Sequence, residues 1–187
     1  MGIADKSTIN TRKRIAKWGG FILIFCLIVS LSVFIFISRS GISIFSVRGV
    51  SMEPTLSNLD TIVLKSSKTI EKGHIIVFNQ PEKWDYSGTP DNVLIKRVVG
   101  IPGDTILSDG ESLFINGEEY INFKDNNYEC KNGLHNTEYV LNPKQVFVVG
   151  DNFNHSLDSL RIFCDGEKEF LIHSRLMINY GTITNIL

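Results

Sequence analysis

An unbroken apolar stretch, GGFILIFCLIVSLSVFIFI from Gly19 to Ile37, does most to limit what this chain can become. It holds no charged residue, and at ~1.5 Å rise per residue a helix of this length reaches nearly across a ~30 Å hydrocarbon layer. A cleavable targeting segment would have a shorter apolar region, about 7 to 15 residues, closed by a small-residue cleavage site. Small residues do follow in Ser38, Ser40 and Gly41, but the length favours a retained anchor. Lys6, Arg12, Lys13, Arg14 and Lys17 precede the stretch and Arg39 follows it. That bias predicts a basic cytoplasmic segment over 1–17, a transmembrane helix over 18–38 and an extracytoplasmic domain over 39–187.

The net charge of -1 gives no case for nucleic acid as a partner. Cys26 lies within the apolar stretch, while Cys130 and Cys164 lie in the exported part. An oxidising compartment would permit a bridge between the latter two if their Cα atoms come within about 7 Å; the sequence leaves the pairing open. His74, His135, His155 and His173 are scattered and no CxxC pair is present, so neither a metal nor another cofactor is implied.

Beyond the anchor, GISIFSVRGV leads without a flexible linker into a series of short β-type runs. These are TIVLK (61–65), HIIVF (74–78), VLIKRVVG (93–100), SLFIN (112–116), EYVL (138–141), QVFVVG (145–150) and LMINYGTIT (176–184). The domain is therefore expected to be mainly β. Asn116-Gly117, between SLFI and EEYI, predicts a type I′ hairpin, because both central positions need positive φ. Residues 81–92 and 122–136 are polar and turn-rich and read as long surface loops.

Two segments carry candidate chemistry. VRGVSMEPTL (47–56) places Ser51 beside a proline-containing turn, and a serine becomes a nucleophile only with a base to take its proton. DNVLIKRVVGIPGD (91–104) supplies a candidate base in Lys96, which interrupts an otherwise apolar strand. Alternation puts Lys96 on the same face as Leu94 and Val98, where desolvation drives the amine below its usual ~10.4. A value near ~7 to 8 would suit a general base. Arg97 falls on the opposite face and stays protonated, so it can support but not replace Lys96.

In order and spacing these segments resemble the boxes of bacterial signal peptidase I, the leader peptidase. VRGVSMEPTL looks like its nucleophile box, with Met52 and Pro54 completing the pattern. KGHIIVF looks like the following strand box, VLIKRVVGIPGD like its lysine box and VVGDNFNHSLDS like its last box. The resemblance implies a signal-peptidase-like β domain in which Ser51 attacks the scissile carbonyl and Lys96 is the general base. Ser156 would be a hydrogen-bond partner of Lys96. Asp158 would hold a turn, and Gly150, Asp151 and Asn152 would give structural support. Substrates would be the signal peptides of exported preproteins, met at the bilayer of the cytoplasmic membrane, with secretion machinery a further candidate partner.

Three departures from that pattern stand out. Gly49 occupies the position where a serine often helps form the oxyanion hole, which leaves the hole to backbone N–H groups, chiefly that of Ser51. Leu59 and His74 replace a usual Gly and Asp. Leu160 separates Asp158-Ser159 from Arg161, so any Asp158–Arg161 pair would have altered geometry. Alternatives are a specialised relative maturing one dedicated substrate, such as a conjugative or secretion-system pilin, and a non-catalytic anchored β module. A soluble self-cleaving repressor shares the Ser-Lys logic but not the apolar helix. A Ser51–His155–Asp158 triad is a further alternative.

Overall fold

A computed structural model describes residues 6–39, 41–66, 69–82, 84, 93–173 and 177–186. It divides into two compact units, residues 1–42 and 43–187. The first is dominated by helix α1, Lys6–Arg39. Within it, Trp18–Phe36 is long and apolar enough to cross a membrane, with mean hydropathy 2.7, and its large apolar side chains are exposed. Ser30 and Ser32 turn their hydroxyls back onto the carbonyls of Leu27 and Val29, at 2.9 and 2.8 Å, so neither hydroxyl needs an outside partner.

The strands run in chain order as β1 (Ile42–Ser46), β2 (Thr61–Ser66), β3 (Ile75–Asn79), β4 (Val93–Gly100), β5 (Thr105–Ser108), β6 (Ser112–Ile115), β7 (Glu118–Asn122), β8 (Tyr139–Val140), β9 (Gln145–Val149), β10 (Ile172–His173) and β11 (Met177–Ile186). A 3-10 turn at Phe153–His155 and a short helix α2, Ser159–Cys164, lie between β9 and β10. One sheet has the order β1-β2-β11-β3-β4-β9-β10 and the other β7-β6-β5-β8. The expected mainly β class is what the structure has. Strand β4 matches its expected bounds, and β2, β3, β6, β8, β9 and β11 agree to within a few residues at each end, whereas β5 and β10 were not among the expected runs.

The β6–β7 hairpin turns at Asn116 and Gly117 with φ of 56° and 79°, the positive pair that a type I′ turn needs. Asn116 also accepts from the Thr105 N–H at 2.9 Å and donates to Asp104 at 2.7 Å, fastening the hairpin to the start of β5. Of the loop expected over 81–92, only Pro81, Glu82 and Trp84 fall within the described residues. Trp84 is buried, and its indole N–H donates to the Glu169 carbonyl at 2.8 Å. The second expected surface loop, 122–136, is only partly one. It is turn-rich, but Phe123, Tyr128 and Cys130 are buried in the main core.

That core draws on both sheets and on α2. Ile76, Phe78, Leu94 and Val98 meet Ile106, Leu113, Ile121, Phe147, Leu160 and Phe163. Each such side chain, fully buried, stabilises the fold by about 1.5 to 3 kcal/mol. A smaller cluster of Val47, Met52, Leu56, Ile62, Leu64 and Ile75 fixes the segment between β1 and β2 onto the large sheet. Helix α2 was not visible as a periodic pattern, because six residues are too few and five of them are buried.

Cys130 and Cys164 form a disulfide with Cα atoms 4.6 Å apart, tying the 122–136 segment to the end of α2. Cys26 remains a free thiol. Thiol titration of the denatured, unreduced protein should therefore find one reactive thiol per chain, and three after reduction. The bridge spans 34 residues of sequence, for which the chain-entropy model gives a stabilisation of about 4 kcal/mol. The double variant Cys130→Ser/Cys164→Ser should lower the urea midpoint accordingly.

Candidate active site

The segment between β1 and β2 is built to present Ser51. Met52 and Leu56 are buried anchors on either side of the exposed Pro54, and the Glu53–Pro54 peptide is cis. Glu53 N–H bonds the Val50 carbonyl at 3.1 Å and Leu56 N–H that of Met52 at 2.9 Å, closing two turns around the serine. The loop ends are stitched by Val47 N–H to Asp60 O at 2.8 Å and Leu59 N–H to Val47 O at 2.9 Å. Leu59 stands at φ 75°, in the left-handed region that glycine occupies most cheaply, and is 75% exposed.

Lys96 lies mid-strand in β4, paired with Ile76 of β3. As alternation predicts, Leu94, Lys96 and Val98 share the buried face, and Lys96 is only 2% exposed. Its ammonium donates to Ser51 Oγ at 2.8 Å and to the Ile95 carbonyl at 2.9 Å. Burial lowers its pKa from 10.5 to about 8, while the negative charges of Asp158 and Asp151 work in the other direction. The structure thus brings together the two residues predicted to be nucleophile and base, with the amine in the expected titration range.

The residues after β9 brace this pair. β9 lies beside β4, with Val149 opposite Arg97, so Gly150, Asp151 and Asn152 emerge next to Lys96 and Ser51. A Cβ on Gly150 would collide with the Ser156 side chain and lie 2.5 Å from the Ser51 carbonyl oxygen, so this close approach requires glycine. Arg97 clasps Asp151 through Nε–Oδ1 at 2.8 Å and Nη2–Oδ2 at 2.6 Å. Burial works to raise the Asp151 pKa, yet hydrogen bonds from Arg97 and Thr55, with the charges of Arg97 and Lys96, hold it below the usual carboxylate value. Asn152 donates its backbone N–H to Ser51 O and its side-chain amide to Val50 O, each at 3.1 Å.

Asp158 is buried and accepts from Gly150 N–H at 2.8 Å and from Arg161 N–H at 3.0 Å, the latter as N-cap of α2. Burial pushes its pKa up, against the pull of those donors, Ser156 and Lys96. The altered geometry anticipated for Asp158 and Arg161 is a backbone contact: Asp158 accepts from the Arg161 N–H, while the Arg161 guanidinium reaches Asp165 at 3.3 Å. The Asp–Arg pair beside the site is Arg97–Asp151 instead. Leu160, the inserted residue, is fully buried in the main core.

Ser156 also departs from expectation. Its hydroxyl is buried against Gly150 and helps to hold Asp158 charged, but it forms no hydrogen bond of proper geometry, to Lys96 or to any other described group. The drawn Ser51–His155–Asp158 triad is not assembled. His155 Nδ1 faces Asn152 Oδ1 at 3.2 Å and Asp158 is engaged elsewhere. Tyr120 of β7 escaped the sequence reading: burial, with the charges of Asp151 and Asp158, raises its pKa, and its ring packs edge-on against Phe153. It comes from a strand remote in sequence, and no motif marks it.

Ser51 and Lys96 open onto a cleft of about 740 Å³. Its walls are largely apolar, with Phe45, Val47, Val50, Val77, Val93 and Leu157 among them.

The family model described as Signal peptidase, peptidase S26 matches residues 15–171. Two proteins named Signal peptidase I P from Bacillus subtilis subsp. natto are similar to the chain. One is 34% identical over 128 residues, covering 62% of this chain and 64% of its own length. The other is 31% identical over 169 residues, covering 84% of each. Signal peptidase IB of Staphylococcus aureus (strain COL) is 28% identical over 170 residues, covering 79% of this chain and 81% of its own length.

A lysine lowered from 10.5 to about 8 is disfavoured in its charged form by about 3 kcal/mol. The folded state then binds fewer protons than the unfolded one between those two values, so stability rises with pH across that window and the full cost applies below it. Lys96→Met should therefore unfold at higher urea than the parent at pH 7, by up to about 3 kcal/mol. The difference should shrink between pH 8 and pH 10.5; equal midpoints at pH 7 would contradict the depressed amine.

Proposed function

The chain belongs to the signal peptidase family, peptidase S26, and is a serine endopeptidase; from that premise we propose that Ser51 and Lys96 are its catalytic dyad, acting on signal peptides of exported preproteins. The observation that carries this reading is the 2.8 Å contact between Lys96 Nζ and Ser51 Oγ in a buried setting. Neutral Lys96 takes the Ser51 proton as Oγ bonds to the scissile carbonyl carbon, and the carbonyl electrons move onto oxygen. The N–H of Ser51 receives that charge. Collapse expels the leaving amine, which takes the proton from Lys96. Lys96, neutral again, takes a proton from water as the water oxygen bonds to the ester carbon, and collapse expels Ser51 Oγ, which takes that proton back from Lys96.

Supporting residues keep the base usable. Burial makes the neutral amine accessible near pH 8, and the Arg97–Asp151 pair neutralises a carboxylate that would otherwise hold Lys96 charged more strongly. The helix over 18–36 serves as a single-pass anchor in the cytoplasmic membrane. Its basic leading segment lies in the cytoplasm and the domain from about residue 39 on the extracytoplasmic face. There the cleft meets signal peptides as they leave the bilayer, and the secretion machinery is the neighbouring source of substrate.

Assayed on a purified preprotein in lipid, Ser51→Ala and Lys96→Ala should each lose about 10⁴-fold or more in kcat. Full cleavage by either would refute the dyad. The parent kcat/KM should rise with pH, reach half its plateau near pH 8 and stay flat above it, since only the neutral amine is active. A profile flat down to pH 5 would exclude a lysine base.

A further inference from the structure

We infer that Asn152 is the positioning residue of the oxyanion hole, holding the Val50–Ser51 peptide so that its N–H faces the reacting carbonyl; this rests on the dyad proposed above. The position two before the nucleophile is Gly49, which has no hydroxyl to offer, and its own N–H is taken by Asn58 Oδ1 at 2.9 Å. The Ser51 N–H makes no hydrogen bond among the described residues. The charge developing on the substrate oxygen therefore depends on where that one N–H points.

In a trans peptide the carbonyl and the following N–H point in opposite directions. Fixing the Val50 carbonyl thus fixes the Ser51 N–H. The carbonyl is held by Asn152 Nδ2 at 3.1 Å, with Glu53 N–H as a second donor at 3.1 Å. Asn152 also secures the next peptide, since its backbone N–H reaches Ser51 O at 3.1 Å. One residue therefore grips both the Val50 carbonyl, which lies opposite the Ser51 N–H, and the carbonyl of Ser51 itself.

The asparagine is itself oriented. Because the Val50 carbonyl can only accept, the amide nitrogen must face it and Oδ1 must face His155 Nδ1, 3.2 Å away. His155 Nδ1 then carries the hydrogen, and an amide flip would lose the bond to Val50. The 3-10 turn holds His155 in place, its N–H bonded to the Asn152 carbonyl at 3.0 Å. An aspartate in place of Asn152 keeps the shape but cannot donate to Val50.

The test uses the full chain in lipid, a preprotein substrate, and a peptide boronate whose tetrahedral adduct on Ser51 places an oxygen where the oxyanion forms. Asn152→Asp and Asn152→Ala should lower kcat about 10- to 100-fold, less than the 10²–10³ seen when an oxyanion donor is removed outright. KM should stay within about twofold and boronate affinity should fall by the same factor as kcat/KM; the half-plateau pH of Asn152→Ala should stay near 8, whereas the added carboxylate of Asn152→Asp should raise it. His155→Ala, at an exposed position, should show a smaller loss of the same kind and serves if the Asn152 variants do not fold. A loss confined to KM, an unchanged boronate affinity or a displaced pH midpoint in Asn152→Ala would overturn the assignment. If the parent neither cleaves the preprotein nor forms the adduct, the dyad reading fails instead, whatever the variants do.

Discussion

An amine kept out of water beside one hydroxyl is the constraint to which the rest of the domain answers. Lysine is among the most costly side chains to bury, and β4 buries it at mid-strand between Leu94 and Val98 on the same face. Coulombic help from Asp158 and Asp151 is partial: it moderates the loss of proton affinity without restoring it. Those two carboxylates are in turn occupied, Asp151 by a bidentate guanidinium and Asp158 by two backbone N–H groups. The two carboxylates near Lys96 are thus each held in place by hydrogen bonds, which fixes where they lie relative to the amine.

The same short segment after β9 serves both halves of the site. Gly150 allows close approach to the Ser51 carbonyl, Asp151 reaches across to β4, and Asn152 reaches back to the serine turn. That arrangement follows from the pairing of β4 with β9, in which Arg97 faces Val149. A slip of one residue there would turn Lys96 to the other face of its strand.

Much of this was readable from residue order. Alternation in VLIKRVVG placed Lys96 on a buried face, Asn116-Gly117 marked its hairpin, and the apolar stretch marked the long helix, because each of these signals is local and strong. What was missed depends on contacts between distant residues. Helix α2 is too short to show a period, Tyr120 enters from another sheet, and the Cys130–Cys164 pairing needs the loop and the helix to be seen together. Ser156 was expected to hydrogen-bond Lys96 and does not, because where a hydroxyl points is not encoded in a linear motif.

The four-stranded sheet leaves the chain at the end of β4 and returns at β9, two strands that are neighbours in the large sheet. Residues 101–144 therefore form an excursion whose two ends already sit side by side. Such a module can lengthen or shrink over time without moving the chemistry, provided that its inner apolar face still covers Val98 and Phe147.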